Sequence, residues 1–90
     1  MDKTIITVVG KDRVGIIAAV CTYLAENGVN ILDISQTITG GFFNMMMITD
    51  ITGSDKEFGQ ISDGLDRLGE SIGMQIRMQR EDIFDAMHRL

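Results

Sequence analysis

The chain has 90 residues, 44% hydrophobic and 23% charged, which predicts one globular domain spanning residues 1–90. Its net charge of −5 argues against nucleic-acid and anionic-membrane partners, because both repel an acidic protein. Cys21 is the only cysteine, so neither an intrachain disulfide nor a thiolate metal cluster can form. Neither a signal peptide nor an apolar run near the roughly 20 residues that span a bilayer is present. We therefore expect a soluble, cytoplasmic protein without a cofactor.

The first strand and helix are predicted from the beginning of the chain. Residues 4–9 (TIITVV) are a β-branched run that predicts a strand ending at Gly10. A helix follows, with its N-cap expected at Asp12 and a left-handed end at Gly28. Apolar residues at helical spacing predict one buried stripe on this helix: Val14, Ile17, Ala18, Cys21, Leu24 and Ala25.

A hairpin is predicted in the middle of the chain. Residues 30–39 alternate between apolar and polar side chains, which predicts a strand with one buried face. That face is expected to contain three residues, Leu32, Ile34 and Ile38. Gly40 and Gly41 form the two-residue turn, because both can adopt positive φ, and the chain returns as a third strand over residues 42–52.

The rest of the chain predicts a helix, a strand and a short terminal helix. Ser54 and Glu57 have the spacing of a capping box at the start of the second helix. The apolar stripe of this helix is Phe58, Ile61, Leu65 and Leu68. Alternation over residues 74–79 predicts the fourth strand, and a C-terminal helix is expected over about residues 81–89.

This order of elements, β-α-β-β-α-β, predicts an α+β fold. Right-handed crossovers give a ferredoxin-like βαββαβ sandwich, in which a four-stranded antiparallel sheet carries two helices on one face, plus the short C-terminal helix. The core is expected over residues 4–79. The second and fourth strands form the sheet edges, and the second has little protection, with no Pro, no Lys and a single acid, Asp33. We therefore expect it to pair with a second chain.

The turn between the first strand and the first helix is the segment best suited to a ligand. Unpaired N–H groups at a helix N-terminus and the helix dipole favour an anion, such as the carboxylate of a small metabolite. Gly10 permits a tight turn, Gly15 permits a ligand to approach closely, and Asp12 could hold an ammonium group. The same residues also fit a structural role, in which Asp12 caps the helix and the glycines serve packing.

The run VVGKDRVGIIAAVCTYLAENGVNILDISQ resembles the opening of ACT domains. The resemblance consists of a turn with glycine and an acid, Gly15 before an Ile/Ala-rich helix, and the GVNI segment, residues 28–31, before the second strand. The element order is similar to the family from Thr4 to about Gln79, and the chain looks most like the small stand-alone ACT proteins of prokaryotes. ACT domains typically bind amino acids or similar effectors at a subunit interface. The resemblance implies a regulatory module that is not an enzyme, acting as a homodimer through strand two and helix one.

The resemblance also implies which residues bind the effector. One wall would consist of the residues of the turn: Gly10, Lys11, Asp12, Arg13, Val14 and Gly15. Asn30 and Ile31 would reach in from the neighbouring subunit, where the Asn30 amide can donate to a carboxylate and accept from an ammonium group. Several effector-binding relatives carry Asn and Pro where Asp12 and Val14 stand. An Asp at this place would repel the effector's carboxylate and attract its ammonium group.

Three other functions are open to a chain of this kind. A dimerisation or protein-interaction module that binds no ligand would be consistent with Asp12. Acylphosphatase-like chemistry needs a phosphate-binding Arg and a water-positioning Asn, but Arg13 and Asn30 lack that family's surrounding pattern. RNA binding would need basic charge and aromatic rings on one sheet face, whereas the adjacent Phe42 and Phe43 point to opposite faces.

No metal site is predicted. Adjacent strand residues point to opposite faces, so only Met45 and Met47 of the three consecutive methionines share a face, and packing is favoured over copper(I) binding. His88 is the only histidine, and one histidine cannot form a histidine-rich site.

Overall fold

A computed structural model of the chain describes residues 1–82. The elements are, in order, β1 (Lys3–Lys11), α1 (Ile16–Glu26), β2 (Asn30–Thr39), β3 (Phe42–Asp50), α2 (Phe58–Ile72) and β4 (Met74–Arg80). The strands form one antiparallel sheet in the order β2-β3-β1-β4, with both helices on one face. This is the predicted ferredoxin-like sandwich, and β2 and β4 are its edges as expected.

The core lies between the sheet and the two helices. In the central strands, Val8 of β1 stands between Met45 of β3 and Ile76 of β4, and all three side chains are buried. Ile61 and Leu65 of α2 are fully buried against this layer, which confirms the stripe predicted for the second helix. The largest fully buried apolar side chains are Ile6, Val8, Val20, Leu24, Met47, Ile61 and Leu65.

Helix α1 buries a different stripe from the predicted one. Its buried residues are Ile16, Val20 and Leu24. Of the predicted stripe, Leu24 is buried and Cys21 is half-buried, whereas the other four members are exposed: Val14, Ile17, Ala18 and Ala25. The helix is apolar on two faces, so helical spacing alone does not determine which face meets the core.

Strand β2 also differs from its prediction, because its apolar side chains are exposed. An irregularity in the pairing between Ile31 and Asp33 leaves Leu32 without a partner on β3. Beyond it, Ile34 and Ile38 face the helix side of the sheet, since their cross-strand partners belong to the buried face of β3. Both remain exposed because nothing else in residues 1–82 covers this edge of the core.

The predicted glycine turns are confirmed, but the predicted caps are not. Gly40 and Gly41 have φ of 60° and 81° in the hairpin, and Gly28 has φ of 70° just after α1. Helix α1 has no side-chain cap, and the capping box of α2 pairs Glu57 with Gln60 rather than with Ser54. The strand bounds differ by up to two residues at each end.

The described residues end at the start of a helix that follows β4. Glu81 and Asp82 are helical, and the rest of the C-terminal helix expected over about residues 81–89 lies outside the described residues. None of the helices within residues 1–82 is long and apolar enough to cross a membrane.

Candidate functional site

The turn from Gly10 to Gly15 is fixed by hydrogen bonds to two other parts of the chain. The Asp12 N–H donates to the carbonyl of Gly41 in the β2–β3 hairpin at 2.8 Å. The guanidinium Nη1 of Arg13 donates to the carbonyl of Ile72, the last residue of α2, at 3.0 Å. The backbone of Asp12 is therefore bonded to the hairpin. The prediction that Asp12 is the N-cap of α1 is wrong, because the N-cap is Gly15.

Gly10 packs closely against the junction between α2 and β4. A Cβ on Gly10 would lie 2.8 Å from Sδ and Cε of Met74 and 3.0 Å from the Gly73 carbonyl oxygen. Gly73 has φ of 71°, which ends α2 in a left-handed conformation and directs the chain into β4. The missing side chain of Gly10 thus lets the end of β1 approach this junction.

The N-terminus of α1 exposes uncapped backbone donors. Gly15 is the N-cap with φ of 91°, and no side chain from residues 1–82 caps the helix. The first helical bond runs from the Ala19 N–H to the Gly15 carbonyl at 2.9 Å. The three N–H groups before it, those of Ile16, Ile17 and Ala18, have no acceptor within residues 1–82. They stand at the positive end of the helix dipole and are available to an anion.

The side chains of the turn add charge and an exposed apolar group to these donors. Lys11 and Arg13 contribute two positive charges and Asp12 one negative charge, so the turn is locally cationic in a chain whose net charge is −5. Val14 is 98% exposed. The turn therefore offers donors for an anion, a carboxylate for a cation and an apolar surface.

Asn30 and Ile31 lie at the opposite end of the sheet from the turn. Asn30 pairs with Asp50 at the end of β3, and Asp50 pairs with Lys3 at the start of β1, whereas the turn follows Lys11. The length of β3, roughly 26 Å at about 3.3 Å per residue, separates the two ends. A single chain does not bring Asn30 to its own turn. Ile31 is half-buried and packs against the core.

The surroundings of Asn30 are polar. Its cross-strand neighbour Asp50 accepts hydrogen bonds from the Thr52 hydroxyl and N–H and from the Asp2 N–H, and these bonds lower the pKa of the Asp50 carboxyl. The Asn30 side chain is exposed and makes no hydrogen bond to any residue from 1 to 82. Its amide is thus available to a ligand.

The sequence did not predict two contacts of the turn. These are the contact with the hairpin glycine Gly41 and the contact with the α2–β4 junction at residues 72–74. The glycine pair 40–41 and Gly73 mark breaks between elements in the sequence. Nothing in their spacing indicates that these breaks meet the turn, since the contacts span between 29 and 64 residues of chain.

Comparison with known proteins agrees with this architecture. A family model described as "ACT domain" matches residues 3–79. A UPF0237 protein of Bifidobacterium longum is 61% identical over the whole length of both chains, and one of Listeria innocua is 49% identical over 98% of this chain and 99% of its own. A solved structure, an ACT domain protein from Streptococcus pneumoniae, is 39% identical and superposes with a TM-score of 0.82, covering 97% of this chain and 98% of its own.

The fold defines a small βαββαβ domain of a kind that serves as a regulatory module. With the family model covering most of the chain, the protein belongs to the ACT-domain family. The relatives named above are, like this chain, small proteins matched over nearly their full length.

Replacing Gly15 should destabilise the protein through the backbone alone. No atom lies within 4 Å of a Cβ placed there, so Gly15→Ala adds no collision but forces a side chain into a left-handed conformation. We expect the free energy of unfolding to fall by about 1–2 kcal/mol. Gly15→Asn should lose less, because Asn tolerates this region better. Urea unfolding at one fixed protein concentration measures both, and equal stability of Gly15→Ala and the unsubstituted protein would contradict this account of the turn.

Proposed function

We propose that this protein is a regulatory module that acts as a homodimer and binds an amino acid between the turn of one chain and the start of β2 of the other. The observation that carries the proposal is an uncovered apolar surface between these two half-sites. It consists of Val14, Ile17, Leu32, Ile34 and Ile38, and we refer to it as the β2–α1 flank.

The β2–α1 flank has the composition of an interface. Nine large hydrophobic side chains are exposed within residues 1–82, and five of them belong to this flank. Exposed apolar side chains in such number are typical of association sites. Helix α2 contacts β4 at the far edge of the sheet, which leaves α1 as the helix on the β2 side. A second copy would cover the edge strand and the apolar face of α1 together.

The free edge of β2 supports one particular pairing. The Ile34 N–H bonds to the side chain of Asp33 rather than to β3, so the backbone groups of Ile34, Gln36 and Ile38 point towards the free edge. Gln36 is the middle residue of the regular segment 33–39. A two-fold axis at Gln36 would place Ile34 opposite the partner's Ile38, on the side of the sheet that carries α1.

The same pairing would complete the binding site. Asn30 would lie at about the level of the partner's Gly41, which within its own chain accepts the hydrogen bond from the Asp12 N–H. The Asn30 amide would therefore approach the neighbouring turn, with its uncapped α1 N-terminus. Each half-site lacks what the other supplies, and two equivalent sites would form per dimer.

The chemistry of the combined site fits a zwitterion. Three uncapped N–H groups, Lys11 and the Asn30 amide can bind a carboxylate, while the Asp12 carboxylate can bind an ammonium group. A free amino acid carries both groups on one carbon atom. Binding across the interface would stabilise the dimer, which gives the ligand a means to change the association of the protein with other molecules.

Charge on the β2–α1 flank should dissociate the dimer. Ile17→Lys places an ammonium group in the proposed interface, and we expect the dimer dissociation constant to rise at least about 10-fold. Val9→Lys is the matched control, because Val9 is 41% exposed and Ile17 is 40% exposed, but Val9 lies on the opposite sheet face. Light scattering over a concentration series measures both variants. If the Ile17→Lys variant remains a dimer while the Val9→Lys variant dissociates, the proposed interface is wrong.

An amino acid that binds should raise the melting temperature. At 100 times its dissociation constant a ligand adds about 2.7 kcal/mol, which is several degrees for a domain of this size. We would screen the twenty amino acids at 10 mM, with the amide and the N-acetyl derivative of each one that stabilises the protein. Both derivatives should lose the effect, since each removes one charge of the zwitterion. A dimer that no amino acid stabilises would instead favour a dimerisation module without a ligand.

A further inference from the structure

The hydrogen bond from Arg13 to Ile72 gives Arg13 a role other than binding the effector. We propose that Arg13 is a positioning residue that couples the turn to the α2–β4 junction, so that the junction responds when the turn is occupied. This inference rests on the proposed function for the identity of the site, but the coupling itself belongs to a single chain.

The Arg13 side chain reaches the C-terminal end of α2. Its guanidinium Nη1 donates a hydrogen bond of 3.0 Å to the carbonyl of Ile72, the last residue of α2. The two residues are 59 positions apart in the sequence. This carbonyl is at the negative end of the α2 dipole, where a cation is favoured. One of the five N–H donors of the Arg13 guanidinium is thus engaged at α2, whereas the Lys11 side chain and the uncapped N–H groups of α1 have no partner within residues 1–82.

The start of the turn also packs closely against the α2–β4 junction. Gly10, at the start of the turn, contacts the Gly73 carbonyl and the side chain of Met74 without the space for a Cβ. Gly69 of α2 is equally tight, since a Cβ there would lie 2.6 Å from the Met74 carbonyl oxygen. A shift of the turn at Gly10 would therefore press on the Gly73 carbonyl and on the Met74 side chain.

These contacts also indicate where occupancy of the turn would be felt. Gly73 connects α2 to β4, and β4 is the sheet edge farthest from β2. An effector bound beside β2 would therefore alter the opposite edge, which the proposed dimer leaves free. The turn contacts this junction in two ways: Arg13 donates a hydrogen bond to it, and the Gly10 backbone packs against it.

Amide resonances measured by nuclear magnetic resonance test this coupling with glycine, the smallest zwitterionic probe. In the unsubstituted dimer, glycine should shift the amides of Ile16, Ile17 and Ala18 together with those of Gly73 and Met74. In Arg13→Gln the shifts in α1 should remain and those at the junction should be lost. Lys56→Gln is the matched control, because it removes a cation beyond the other end of α2 and should behave as the unsubstituted protein.

A comparison without ligand keeps the two proposals separate. Arg13→Gln alone should displace the Gly73 and Met74 resonances, and Arg13→Lys should displace them less because it retains a charged donor. If Arg13→Gln leaves these resonances in place, or if glycine still shifts them fully in this variant, the coupling is wrong. If glycine shifts no α1 amide in the unsubstituted protein, glycine binding at the proposed site fails, and the ligand-free comparison still decides the role of Arg13.

Discussion

The position of β2 at the edge of the sheet is the constraint on which the rest of the account depends. Its apolar residues Ile34 and Ile38 face the helix side of the sheet, but no part of the chain within residues 1–82 covers them. Helix α1 meets the core with Ile16, Val20 and Leu24 and leaves Ile17 exposed. The sheet and the two helices thus form the whole sandwich, but they leave apolar side chains of β2 exposed to solvent.

The same constraint separates the two halves of the candidate site. The turn follows β1 at one end of the sheet and Asn30 begins β2 at the other, so the length of a strand lies between them in one chain. A two-fold axis beside β2 reverses the direction of the second chain and brings unlike ends together. The proposed dimer therefore gives the exposed apolar surface and the two separated half-sites a common explanation.

Local signals predicted the parts of the fold that depend on neighbouring residues. The left-handed glycines of the hairpin, the stripe of α2 and the alternation in β4 were all found in the expected places, because each is determined by a few adjacent residues. The stripe of α1 was wrong because two apolar faces compete on that helix, and only the packed structure selects one. The buried face of β2 was wrong because alternation reports which residues share a face, but not whether anything covers that face.

The candidate site, too, could be predicted from the sequence only where it depends on neighbouring residues. The turn itself could be predicted, since a strand, two glycines and a helix start are contiguous in the sequence. The partners of Asp12 and Arg13 could not, because Gly41 and Ile72 lie 29 and 59 residues further along the chain. Asp12 does not cap α1 because the N-cap is Gly15, three residues further on, and the bond to Ile72 explains why Arg13 faces α2.

Mixing two inactive variants tests the central claim most directly, that each site is made by two chains. Asn30→Ala and Asp12→Asn remove opposite halves of the site, and each homodimer should lose the thermal stabilisation by the amino acid that binds the unsubstituted protein. A heterodimer of the two variants contains one site with both residues intact and one with neither. After complete exchange of an equimolar mixture about half of the dimers are heterodimers, so a calorimetric titration should recover about a quarter of the original number of sites. If mixing restores no binding although exchange of chains is complete by mass spectrometry, the site does not lie between two chains and the account is wrong.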